Sequence, residues 1–196
     1  MDAGKLNERI SVLTLQKTET CYGWAADSTT WAKAVKSDKS NLFSRVGLGE
    51  KTVIFTMRQR ALSLHNAIQW GGKHCFLTDI REIDRMYLEV TAALVRISVC
   101  SLWRAESGVD EYKRPVKKAP EKILDFPAVL TEKYQGFMQG EPMAQTEATY
   151  VLVAPKAVEL KVSDLVDVGN VRYAVHVCHT LDEFKNEYEV YRKADI

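Results

Sequence analysis

The sequence predicts a mainly β chain made of two copies of one unit, and three observations carry that prediction. A Gly-turn hairpin pattern occurs twice, over Leu62–Asp79 and over Leu160–Val177. The segments flanking it recur in the same order in both halves. Signals for helix are scarce, while short runs of branched and aromatic residues are frequent. Each hairpin turns on a dipeptide, Gly71-Gly72 or Gly169-Asn170, that tolerates the positive φ a type I′ turn needs at both central positions. The hairpins lie 98 residues apart (169 − 71), too far for a solenoid repeat and suitable for a small domain.

In chain order, Ile10-Ser-Val-Leu-Thr-Leu15 alternates and reads as the first strand. Lys17 to Thr30 is polar, contains Gly23 and reads as a turn; Thr29–Val35 is the second strand. Lys36–Lys51 is a polar loop with Gly47 and Gly49, long enough to suggest a role of its own. Thr52–Met57 is an apolar strand, the first hairpin follows, and a charged turn over Arg81–Arg85 leads to a closing strand, Tyr87–Val90. Arg9-Ile-Ser-Val12 recurs as Arg96-Ile-Ser-Val99, which sets the second unit's opening strand at an offset of 87 (96 − 9). Glu106–Lys122 is turn-rich and basic, and Pro115 and Pro120 argue against regular structure there. Phe126–Leu130 corresponds to the second strand and Glu132–Ala148 to the long loop. Tyr150–Ala154, the second hairpin, a turn over Asp182–Lys185 and Tyr188–Tyr191 complete the copy. Asn41–Arg45 and Tyr134–Gln139 could each form a turn or two of helix. The expected domains are 1–96 and 97–196.

Composition narrows the functional classes. With 46% apolar and 27% charged residues, the 196-residue chain has the make-up of an ordinary soluble globular protein. Its net charge of +1 gives no polyelectrolyte character. No apolar run approaches the roughly 20 residues of a membrane span, so no membrane partner is expected. Met1-Asp-Ala-Gly-Lys5 lacks an apolar signal region, and the protein is expected in the cytosol with Cys21, Cys75, Cys100 and Cys178 reduced.

Other constellations favour plain readings. His176, Cys178 and His179, with His74 and Cys75, are zinc-type ligands, but strand geometry puts His176 and Cys178 on one face and His179 on the other. No phosphate loop, zincin motif or dinucleotide fingerprint is present. The chain is therefore expected to carry no catalytic residue, metal or cofactor. Trp24, Trp31, Trp70, Trp103, Tyr150 and Phe55 read as core or interface residues, with a nucleic-acid stacking platform as the alternative.

One family resemblance emerges from these segments. The opening Ala3-Gly-Lys-Leu-Asn-Glu-Arg-Ile10, the polar turn, the Trp31 strand, the long loop and the Gly-turn hairpin together resemble the phage head–tail adaptor family, the head-closure or stopper proteins of long-tailed phages. In that family the first polar turn often reads Asp-Glu-Tyr-Gly-x-Pro; here the second unit has Asp110-Glu-Tyr-Lys-Arg-Pro115 and the first keeps Cys21-Tyr-Gly23. Trp31 matches the family's Trp, where the second unit has Phe126-Pro127, and Trp70-Gly-Gly-Lys73 matches its hairpin. The resemblance is closer over residues 3–96 than over 97–192.

It implies an all-β fold of two tandem small β-barrels and a role in the virion, at the head–tail joint. The expected partners are other copies of the chain in a ring of six or twelve, portal and adaptor proteins, a tail terminator or tail tube, and packaged double-stranded DNA. It also implies that the long loop projects into the channel, so Lys36, Lys39, Arg45 and Lys51 become candidate plug residues near DNA. With Asp38 and Glu50 opposing them the loop carries +2, and the plain alternative is that these side chains solvate a surface loop. Two other functions fit the same sequence: a tail-terminator protein on the tail side of the joint, and a non-viral β-barrel that binds nucleic acid or peptide.

Overall fold

The computed structural model describes residues 3–37, 51–105, 107–109, 111–112, 114–132 and 149–193. These form fourteen strands and one 3-10 turn, Ala3–Lys5. The first barrel uses β1 (Glu8–Lys17), β2 (Tyr22–Ser37), β3 (Thr52–Arg58), β4 (Ala67–Trp70), β5 (Lys73–Asp84) and β6 (Tyr87–Val95), closed in the order β1-β2-β3-β6-β5-β4. The second uses β7 (Ser98–Arg104), β10 (Glu121–Glu132), β11 (Thr149–Pro155), β12 (Leu165–Val168), β13 (Val171–His179) and β14 (Lys185–Arg192), closed in the order β7-β10-β11-β14-β13-β12. Matching β1 to β7, β2 to β10 and so on makes the two orders identical. The expected all-β fold of two tandem barrels is what the chain adopts. Between β7 and β10 lies a small ribbon, β8 (Ser107–Val109) with β9 (Pro115–Lys117).

Closure leaves no free sheet edge and gives each barrel an interior to fill. In the first, Phe55, Met57, Ile10 and Ile68 supply bulk, and Ala32 and Ala92 leave room for it. In the second, Leu102, Phe126, Leu152 and Tyr188 play that part beside Ala128 and Ala154. Each large apolar side chain buried this way contributes about 1.5–3 kcal/mol. One compact unit holds Gly23–Ile97 with the opening strand as far as Gln16; the other holds Ser98–Leu130 with the later strands and also takes in Lys17–Tyr22. Within that second unit Tyr22 packs on the core, and Asp125 N donates to Thr20 O at 2.9 Å.

Register shows how deep the repeat goes. Leu77 pairs with Ala92 and Asp79 with Thr91, so Thr78 is an extra, bulged residue; Val175 pairs with Val190 and Val177 with Glu189, so His176 is bulged at the same place, 98 residues on. At the next turn Asp84 Oδ1 accepts from the amides of Met86 and Tyr87, and Asp182 Oδ1 accepts from those of Phe184 and Lys185. Before each hairpin Ser63 N donates to Asn66 Oδ1 (3.0 Å), and Lys161 N donates to Asp164 Oδ2 (2.7 Å). Three local devices thus recur at one offset.

The opening strand does not follow the expected alignment. Ile10 pairs with Trp70, the residue before Gly71, and Cys100 pairs with Val168, the residue before Gly169. Ile10 therefore corresponds to Cys100, an offset of 90 (100 − 10). The Arg-Ile-Ser-Val identity is out of register by three. Arg96 and Ile97 lie between β6 and β7, and Val99 is 71% exposed where Val12 is buried.

Four further expectations are corrected. Most of the predicted Lys17–Thr30 turn is strand, since β2 begins at Tyr22. Lys36 lies in β2 instead of the loop. Pro115 opens a strand, which the first position of a two-stranded ribbon permits because no ladder donor is lost inside a sheet. The second hairpin is not type I′. Gly71 and Gly72 have φ of 55° and 75°, but on the other turn only Gly169 is positive (60°), which is the type II′ pattern. The short helical turns considered at Asn41–Arg45 and Tyr134–Gln139 lie outside the described residues.

Candidate functional site

In each barrel one end is rimmed by the Gly hairpin and by the strand ends from which the long loop departs. In the first barrel Ser37 pairs with Thr52 and Thr52 with Ala93 at this mouth, and Ile10 pairs with Trp70 beside the Gly71-Gly72 turn. Ala32 and Ala34 lie opposite the core residues Met57 and Phe55, so β2 points these positions, and Lys36 after them, to the interior side. The Lys36 ammonium sits 5.8 Å from the centroid of the Trp70 ring, a cation–π distance. Phe55 meets the same indole edge-on at 5.7 Å, and Trp70 Nε1 donates to Glu8 Oε2 at 3.2 Å. Lys36 is thus a cap on the mouth of the barrel. Lys51 sits at the base of the loop, exposed, and its carbonyl accepts from Leu94 N at 2.9 Å. Lys73 is exposed just after the hairpin. Lys39 and Arg45 lie outside the described residues.

The mouth of the second barrel is built differently. Around Gly169 and Asn170 an open cleft of about 640 Å³ is lined by Asp167, Val171, Arg172, Arg192 and Lys193. Arg172 grips Asp167 with two hydrogen bonds, Nε to Oδ1 at 2.6 Å and Nη2 to Oδ2 at 2.7 Å. That guanidinium holds the Asp167 carboxyl below the usual carboxylate range. It also lies 5.1 Å from the Trp103 ring centroid. These are residues that sequence reading passed over. A usable signal existed, since Asp167 and Arg172 flank the Gly turn at paired positions of the hairpin.

At the opposite end the second barrel is closed by hydrogen bonds. Tyr188, fully buried, donates to Val158 O at 2.8 Å and accepts from Leu160 N at 3.0 Å. Burial pushes its hydroxyl pKa up. Asn186 Nδ2 donates to Lys156 O and Val158 O. Nearby, Asp164 takes a bidentate pair from Arg104 at 2.7 and 2.6 Å. The first barrel places Thr14 and Asn66 at these two positions, joined by a neutral hydrogen bond of 3.2 Å.

The zinc-type residues fall apart. The bulge at His176 shifts the strand's parity, so Cys178 pairs with buried Tyr188 and packs on the core, while His176 is exposed. His176 and Cys178 do not share the face that regular alternation would give them. Cys178 Sγ donates to Leu160 O, and His179 contacts Glu189 at 3.1 Å. His74 is packed against Trp24 and Phe76, and burial holds its pKa down at about 4. Among the described residues no three His, Cys, Asp or Glu side chains are grouped to hold a metal ion. Of the aromatics, Phe55 is core, whereas Trp31 is 56% exposed and shares a cleft of about 380 Å³ with Leu6, Thr30 and Arg58.

Comparison with known proteins adds little. No family model matches the chain, and no curated protein does. Among solved structures it is similar to the phage-like element PBSX protein xkdH from Bacillus subtilis, at 20% identity and a TM-score of 0.37, covering 50% of this chain and 95% of that one. No helix among the described residues is long and apolar enough to cross a membrane.

Proposed function

We propose that the chain is a structural protein of a tailed-phage neck, forming a ring below the portal and adaptor that closes the head after DNA packaging and receives the tail. One observation carries this reading. Both barrels gather basic side chains around the mouth from which the long loop departs: Lys36, Lys51 and Lys73 in the first, Arg172, Arg192 and Lys193 in the second. Repeated around a ring, such mouths would turn positive charge and a loop toward DNA phosphates. The segment motifs of the head–tail adaptor family support the same reading.

The test is genetic. Removing the protein from a producing phage should give packaged heads that lack tails and lose DNA. Deleting residues 38–50 should leave the ring intact and still release DNA. Replacing Lys36, Lys39, Arg45 and Lys51 with Ser should weaken retention, most at low salt. Normal tailed particles without the protein would reject the neck role; unchanged retention after the loop deletion would reject the plug.

A second reading has its own observation. Exposed Trp31 beside Arg58 offers the residue types that dominate interface energetics, which suits a barrel gripping a peptide outside any virion. In a neck, the same surface would meet a neighbouring copy or the tail.

A further inference from the structure

The cleft at the mouth of the second barrel has properties the fold does not require. Its lining has three cationic side chains, Arg172, Arg192 and Lys193, against one acid, Asp167. That acid is already engaged: both its oxygens receive the Arg172 guanidinium, which also lies 5.1 Å from the Trp103 ring centroid. Asp167 therefore orients Arg172 and does not answer the charges of Arg192 and Lys193, which are exposed at the end of β14. The described lining carries +2. Asp195, the next acid in sequence, lies outside the described residues.

The first barrel is an internal control. The hairpin offset of 98 maps Asp167, Arg172, Arg192 and Lys193 onto Gln69, His74, Leu94 and Val95. His74, with its pKa near 4, is uncharged at neutral pH. The same backbone thus supports this corner of the mouth without the cluster, which is present in the second copy and absent from the first. Two positive charges that no carboxylate among the described residues pairs with, beside a fixed guanidinium in a concave rim, focus field on a small anion. A net +2 matches a phosphate better than a monovalent carboxylate, and arginine forks suit phosphate oxygens.

We propose that this cleft is an oxyanion site that takes a phosphate group through Arg172, Arg192 and Lys193. The phosphate comes either from a nucleic-acid backbone or from a small soluble phosphate. The site stands whether or not the chain belongs to a phage neck.

The experiment uses the full chain, labelled with ¹⁵N, and follows the amides of Gly169 and Asn170 and the Arg172 Nε–H. One titration adds inorganic phosphate, the other a 20-base-pair DNA duplex. Saturable shifts at these three groups are expected, with affinity reduced at least tenfold for either probe in R192S/K193S. Both side chains are exposed at a strand end, so unchanged signals elsewhere will show that this variant folds. A duplex that binds at least tenfold tighter than phosphate, and is displaced by it, identifies the nucleic-acid backbone as the source. Equal or weaker duplex binding identifies a small phosphate. Absence of shifts with both probes, or wild-type affinity in the double variant, overturns the proposal.

Discussion

Replacing Asp164 with Ala should open the second barrel far more than replacing Asn66, its counterpart, opens the first. The Asp164 side chain is 3% exposed and receives three hydrogen bonds, two from Arg104 and one from Lys161 N. Truncation leaves a guanidinium without its carboxylate and a backbone amide without its acceptor. Breaking a buried ion pair costs about 3–5 kcal/mol; Arg104 is 28% exposed and keeps some water, so the low end, about 3 kcal/mol, applies. Asn66→Ala removes only neutral bonds, with Ser63 N, Ser63 Oγ, Leu13 O and Thr14 Oγ1, and should cost about 1–2 kcal/mol. Each barrel contains its own reporter. Cys75 and Cys100 are fully buried, and burial pushes both thiols up to about 12, so they react only when their barrel opens. Thiol labelling at Cys100 should accelerate on the order of 100-fold in Asp164→Ala. Labelling at Cys75 should accelerate about 5- to 30-fold in Asn66→Ala. Cys100 labelling within about threefold of wild type in Asp164→Ala would refute the role given to the ion pair.

Three further outcomes follow from the same geometry. Gly71→Ala, Gly72→Ala and Gly169→Ala should each lose about 1–2 kcal/mol, because all three have positive φ with open space around a Cβ, while Asn170→Ala should lose almost nothing; equal losses at Gly169 and Asn170 in urea melts would mean two type I′ turns. His74 is held near 4 when folded against 6.5 when unfolded, so the unfolded chain takes the proton first and stability should fall as pH drops from about 6.5 to 4, by at most about 3 kcal/mol. Urea midpoints for His74→Gln should lose this slope, and an undiminished slope would place its cause elsewhere. Asp167→Asn, at a pair that is 25% and 35% exposed, should cost no more than about 1 kcal/mol, which thermal melting would check.

Much of this fold is legible in the chain because its turns are chemically marked. Gly71, Gly72 and Gly169 locate both hairpins, and the Leu62–Asn66 and Leu160–Asp164 approaches share a side-chain-capped turn visible as a repeated Asn or Asp. The opening strand misleads because four identical residues outweigh register in a sequence comparison, whereas the barrel selects for what faces inward: Ile10 and Val12 correspond to Cys100 and Leu102, which share burial but not identity. The bulges at Thr78 and His176 carry no Gly or Pro to announce them. The second mouth escapes notice for a similar reason, since Asp167, Arg172, Arg192 and Lys193 are separated along the chain and meet only when β12, β13 and β14 are side by side. The plug residues divide. Lys36 lies in β2, where it pairs with Val53 and its ammonium meets the Trp70 ring, and the Lys51 carbonyl accepts from Leu94 N at the base of β3.

The neck assignment meets its most direct test in a symmetry-relaxed cryo-electron microscopy reconstruction of phage particles carrying a tagged copy of this chain. A ring of paired barrels between portal and tail is predicted, and the unequal mouths favour six chains presenting twelve barrels over twelve chains in two layers. Tagged density at any other position, or none in the particle, would contradict the assignment.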